Sequence, residues 1–150
     1  MSIEDDVRLL ERVPPLRLLG LEALRVLAIG SETRQLGRDE ALFRVGDAAD
    51  AAFVIQSGAV RVSFESDAGG YQEMVAGPGD LIGELALLIP MERPSTAVAT
   101  KASSVIRITR SLFQRVLEGH PDSAERLRDD LAARNSRAAQ DMMQAARKLV

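Results

Sequence analysis

Apolar positions at the start of the chain recur at helical spacing. Ile3, Val7, Leu10 and Val13 follow one another at three- and four-residue steps, and Pro14-Pro15 closes the run. Leu21, Leu24, Leu27 and Ala28 share one face of a second predicted helix, with Gly30 in position to cap its end.

From about Thr33 to Thr109 the pattern changes. Short runs rich in Val, Ile, Leu and Phe alternate with Gly, Asp and Pro. Ala41-Leu42-Phe43, Ala52 to Ile55, Val60 to Phe64, Glu73-Met74-Val75 and Val105 to Ile108 read as strands. Gly46-Asp47, Ser57-Gly58, Asp67 to Gly70 and Gly77 to Asp80 read as the turns between them, with Asp67 to Gly70 a hairpin tip. Many short strands at near-regular intervals predict a sandwich or barrel.

The tail returns to helical spacing. Ser111 to Leu117 is short and amphipathic, and Gly119-His120-Pro121-Asp122 is a break and restart. Pro121 suits a turn or a first helical position, and Asp122 with Glu125 resembles a capping box. Leu127, Leu131, Ala138, Met142, Ala145 and Leu149 then form the apolar stripe of a long helix toward Val150. Arg126, Arg128, Arg134 and Arg137 interleave with Asp129, Asp130 and Asp141, the pattern of a solvated face.

The expected architecture is a single domain over residues 1–150, mainly β with flanking helices. It consists of N-terminal helices (1–30), an eight-stranded jelly-roll-like β-barrel (31–110) and two C-terminal helices (111–150).

Composition narrows the chemistry. The 150 residues hold no Cys, so disulfides, thiolate metal sites and cysteine nucleophiles are excluded together. One His, His120, is too few for a His-rich metal site or a metal-dependent cupin. It reads as a helix-boundary residue. No Trp and 3% aromatics leave no stacking platform for single strands, and a net charge of −3 argues against phosphate neutralisation, so no nucleic-acid partner is expected. No apolar run is long enough for a membrane span. The acidic start MSIEDDVRLL is unlike a secretory signal, which places the expected location in the cytoplasm.

One segment, residues 79–96, is unusual inside a β-domain: GDLIGELALLIPMERPST. Gly83 to Leu88 reads as a helical turn that Pro90 stops. A helix start presents unpaired N–H groups and partial positive charge. Gly83 permits close approach to the backbone. Arg93 offers a planar fork for two phosphate oxygens, and Ser95 and Thr96 offer hydroxyls. Glu84 accepts only, so it needs a donor such as a ribose hydroxyl. An anion site, a hydroxyl site and an apolar wall together suit a nucleotide of single phosphate charge. No base stands near Ser95 to make it a nucleophile, and neither catalytic residues nor a metal or cofactor are expected.

Gly83-Glu84-Leu85-Ala86-Leu87 followed by Arg93-Pro94-Ser95-Thr96 resembles the phosphate-binding cassette of the cyclic nucleotide-binding domain family. Phe43, Gly46-Asp47, Phe53, Gly58 and Gly79-Asp80 match in order, and the resemblance covers nearly the whole chain. It implies that Arg93 binds the cyclic phosphate and Glu84 the ribose 2′-hydroxyl. Gly83 and the backbone of Leu85 and Ala86 would assist, with Ser95 beside the phosphate. Val62, Met74 and Ile82 are candidates for the apolar wall around the base.

Two departures from the family pattern matter. Pro94 offers neither a hydroxyl nor an N–H, which tilts the expectation from cGMP toward cAMP. Bacterial transcription factors of this family contact adenine from the long helix with Thr and Ser, where this chain has Ala138-Ala139. The sequence stops at Val150 without an appended helix-turn-helix, so a self-contained transcription factor is not expected. The resemblance implies a non-enzymatic sensor that transmits occupancy through its C-terminal helices to an effector protein or to a second copy of the chain. A degenerate fold with a silent pocket, acting as an interaction module, and a cyclic-nucleotide-processing enzyme are the alternatives.

Overall fold

The computed structural model describes residues 2–65, 69–130 and 133. Helix α1, Ile3–Glu11, starts where Ser2 and Asp5 cap one another: the Asp5 amide donates to Ser2 Oγ and the Ser2 amide to Asp5 Oδ2. Glu4, Asp5 and Asp6 sit in its first turn, where negative charge meets the unpaired amides. A 3₁₀ turn, Leu16–Leu19, leads into α2, Leu21–Gly30. Gly30 is the last residue of α2 rather than its cap; Ser31 takes that place, its amide donating to Leu27 O at 2.9 Å. The glycine is there for room, because a Cβ on it would lie 2.7 Å from Leu112 Cδ1.

Ten strand segments follow among the described residues: β1 Glu32–Leu36, β2 Ala41–Phe43, β3 Ala48–Ala49, β4 Ala51–Ser57, β5 Val60–Glu65, β6 Tyr71–Ala76, β7 Leu81–Ile82, β8 Met91–Glu92, β9 Thr96–Ala99 and β10 Ser103–Thr109. They form one four-stranded sheet in the order β1-β10-β4-β7, a second in the order β2-β9-β5-β6, and a two-stranded ribbon β3-β8. All pairings are antiparallel. In place of the expected eight-stranded barrel, the described residues show two antiparallel sheets and a ribbon, with no closed barrel. The two sheets share one apolar core, to which Phe43, Phe53, Val62, Ile82, Ala97 and Val105 contribute.

A second core lies on the other side of the first sheet. Strand β4 alternates between the two, Ala51, Phe53 and Ile55 facing one and Ala52 and Val54 the other. The second core takes in Leu10, Leu24 and Leu27 from the N-terminal helices. It also takes in Leu112, Phe113 and Val116 from α3, Arg110–Gly119, and Leu87 from the segment after β7. The helices thus cover a sheet whose central strand is apolar on both faces.

Residues 121–130 are helical, and Pro121 is the first helical residue, with the Ala124 amide donating to His120 O at 3.0 Å. Asp122 therefore sits inside the helix rather than at its cap. His120 ends α3, its Nδ1 2.9 Å from Val116 O. Of the predicted stripe, Leu127 is buried in the helical core. Leu131, Ala138, Met142, Ala145 and Leu149 lie outside the described residues, as do Ala139 and, of the Asp67 to Gly70 tip, Asp67 and Ala68. On either side of that tip β5 and β6 pair from Val60↔Ala76 to Glu65↔Tyr71. Among the described residues no helix is long and apolar enough to cross a membrane.

Candidate functional site

The site is assembled by three connections between elements. Strand β7 delivers Gly83, which is left-handed at φ +77°, ψ 34° and turns the chain into a 3₁₀ segment, Glu84–Leu87. Ribbon strand β8 delivers Arg93. Its amide donates to Asp47 O at 2.7 Å and its carbonyl accepts from the Gly46 amide at 2.9 Å, so the Gly46-Asp47 turn sets its height. Strand β5 and its partner β6 supply Val62 and Met74, which face one another across the pairing.

Between them lies a cavity of about 420 Å³, within the range of small-molecule sites. Nine of the eleven residues expected from sequence line it: Val62, Met74, Ile82, Gly83, Glu84, Leu85, Arg93, Pro94 and Ser95. Ala86 and Thr96 do not. Ala86 is buried beneath the turn, and its amide is engaged by Gly83 O at 3.1 Å. The turn itself begins with Glu84 and Leu85. Thr96 Oγ1 accepts from the Val45 amide at 3.0 Å and ties down a neighbouring loop. Residues not anticipated as wall are Phe43, Ala76, Asp80, Leu81 and Met91. Asp80 also caps the turn before β7, accepting from the Gly77 amide at 2.8 Å.

Arg93 decides the character of the cavity. Its side chain is 5% exposed, lying over the Phe43 ring with Cζ 4.3 Å from the centroid and 5.5 Å from that of Phe53. The two rings are stacked at 6.0 Å and form a floor whose faces attract the cation. Nη2 donates to Ala51 O at 2.7 Å. Nε is buried without a hydrogen-bond partner. Among the described residues no carboxylate lies within 4 Å of the guanidinium. Burial lowers its pKa below the usual guanidinium range; the fields of Asp50 and Asp47 oppose that shift, and Arg107 adds to it. A cation taken out of water and answered by one carbonyl and two rings has unused capacity for an anion.

Gly83 serves this arginine directly. A Cβ there would lie 2.6 Å from Arg93 Nη1, so the glycine clears space for the guanidinium as well as reversing the chain. Exposed Glu84 stands on the same wall, one residue further on. The chemistry on offer is one buried cation, one acceptor-only carboxylate and an apolar remainder that includes Met74, Met91, Val62 and Ile82. That set fits a small monoanion with hydroxyl donors and an apolar ring. Among the described residues no group of three or more His, Asp or Glu could hold a metal ion.

The cyclic nucleotide-binding domain model matches residues 33–120, a span holding the whole cavity. The chain belongs to the cyclic nucleotide-binding domain family. A cyclic nucleotide-binding-like protein from Brucella abortus is 40% identical over 76% of this chain and 98% of its own, with a TM-score of 0.66. The cyclic AMP receptor protein of Thermus thermophilus is 34% identical over 62% of this chain and 44% of its own length. The lysophospholipase nte1 of Neurospora crassa is 30% identical over 67% of this chain, which spans 7% of that enzyme.

Proposed function

We propose that the domain binds a 3′,5′-cyclic purine nucleotide, with cAMP preferred, and works as a sensor without turning the ligand over. The observation that carries this reading is the buried Arg93 guanidinium on the cavity wall, with Nε unpartnered and, among the described residues, no carboxylate within 4 Å. The cyclic phosphate pairs with Arg93 and the opening amides of the turn, and the ribose 2′-hydroxyl donates to Glu84. The purine lies against Val62, Met74 and Ile82. Pro94 borders the site without a hydroxyl to offer a guanine, which supports adenine. The Thermus thermophilus relative, named for cyclic AMP, supports the same ligand.

Ligand entry biases an equilibrium only by its different affinity for two arrangements of the domain. The turn Glu84–Leu87 packs on α3 through Leu87, so the position of the turn is the variable that α3 reads. The output surface is the C-terminal helical region, presented to an effector protein or a second copy of the chain.

Calorimetric titration of cAMP and cGMP into the wild type and Arg93→Ala tests the site. Loss of a desolvated charge partner costs about 2–5 kcal/mol, so the variant shows no measurable heat at concentrations that saturate the wild type. Equal binding by both proteins overturns the assignment. A thermal shift with ligand in hundredfold excess over its Kd, worth about 2.7 kcal/mol, separates a sensor from an interaction module with a silent cavity.

A further inference from the structure

Arg110 is the first residue of α3, and its amide donates to Asp50 O at 2.8 Å. Its side chain runs back toward the cassette. Nη1 lies 3.1 Å from each of three carbonyl oxygens: Ala49, Ala86 and Ile89. Ala86 lies within the cassette turn and Ile89 just beyond it, so these carbonyls belong to its C-terminal end, where helical C=O groups lack amide partners and carry partial negative charge. A cation is the natural partner there.

Two details make this more than a cap. Nη1 carries two hydrogens and faces three acceptors, so the bonds are shared, and a small displacement of the turn re-weights them without breaking all. The next carbonyl along from Ala49 and Asp50 is that of Ala51, which holds Arg93 Nη2. Three successive carbonyls thus take the Arg110 side chain, the Arg110 backbone and the cavity's cation. An anion that draws Arg93 off Ala51 O acts on the segment that seats the start of α3.

The geometry points to Arg110 as the positioning residue through which occupation of the cavity reaches α3. This rests on the reading of the cavity as a cyclic nucleotide site. The apolar link through Leu87 holds turn and helix together but has no direction and lets them slide. The guanidinium fixes their relative position.

The test uses the full chain as wild type, Arg110→Met and Arg110→Lys, with hydrogen exchange as the readout. Without ligand, Arg110→Met exchanges about tenfold or more faster at the amides of residues 86–89, the loss of one charge-assisted bond, while β4 is unchanged. Unchanged exchange at 86–89 overturns the clamp whatever the ligand. At saturating cAMP, the change in α3 protection seen in the wild type is lost in Arg110→Met and partly kept in Arg110→Lys. An undiminished α3 response in Arg110→Met overturns the coupling role. Should the wild type bind no cAMP, the sensor reading fails by itself, and the ligand-free exchange still decides the clamp. If Arg110→Met does not fold, Arg110→Lys carries both measurements, with a smaller change in the same direction.

Discussion

Gly83 and Arg93 compete for one small volume: a Cβ on the glycine would come within 2.6 Å of the arginine's Nη1. The residue that turns the chain and the residue that supplies the charge are therefore one design.

Gly83→Ala carries two separable penalties. The left-handed backbone at φ +77° costs about 1–3 kcal/mol for a residue with a Cβ, and the clash with the guanidinium adds to it. In an Arg93→Ala background only the backbone penalty persists. Urea unfolding of the two single variants and the double variant should show a coupling of about 0.5–3 kcal/mol. Strictly additive midpoints would show that the two residues do not share the space.

Arg93→Met separates binding from stability. Burial depresses the pKa of Arg93 in the folded chain, so the charged side chain opposes folding at every pH below its folded titration point. The penalty lifts only as pH rises through that point toward the titration of a free guanidinium. An apolar side chain of similar volume over Phe43 and Phe53 is expected to leave the unfolding free energy at neutral pH unchanged or higher. Cyclic nucleotide binding is lost in the same protein. A drop in stability of more than about 2 kcal/mol on denaturant titration would mark Arg93 as a structural residue instead.

Glu84→Gln should weaken cAMP by about 1.5–3 kcal/mol, the range for a hydrogen bond to a charged group. The same substitution should leave 2′-deoxy-cAMP nearly unaffected, because that ligand lacks the donor. Competition binding of the two nucleotides to the two proteins closes the cycle. Parallel losses for both ligands would place the carboxylate away from the ribose.

Gly58→Ala is the control for stability away from the cavity. The glycine sits at φ +92°, and a Cβ there would meet Ser103 Oγ at 2.1 Å and Ser103 Cα at 2.6 Å. Backbone strain of about 1–3 kcal/mol combines with overpacking of similar size, and the backbone atom cannot swing aside. Thermal melting should fall sharply while the folded fraction keeps wild-type affinity for cAMP.

The cavity segment was legible because its residues are contiguous and of unusual type for a β-domain: a glycine, a carboxylate and an arginine around an apolar turn. Strands β2, β4, β5 and β10 were legible from dense apolar runs. Strand β1 was not, because Glu32–Leu36 lies at a sheet edge, buries only Leu36 and shows no alternation. The β3-β8 ribbon was hidden for another reason. It pairs Ala48 with Glu92 and Ala49 with Met91, two residues from each side, and only the folded chain brings them together. Phe43 and Phe53 carried a strand signal but none for their place under Arg93. Gly30 looked like a helix stop, and its reason is a leucine more than eighty positions away. Arg110 gave no signal in the sequence, since backbone carbonyls as partners leave no trace in side-chain identity.

Strand β4 is a party wall. Phe53 and Ile55 belong to the ligand side and Ala52 and Val54 to the helical side, with nothing between them but the backbone itself. A slip of one residue in its pairing with β10 would exchange the two sets, evicting the ring from beneath Arg93 and thrusting it among the helices. Any redesign of ligand preference that touches this strand must therefore be solved for both rooms at once.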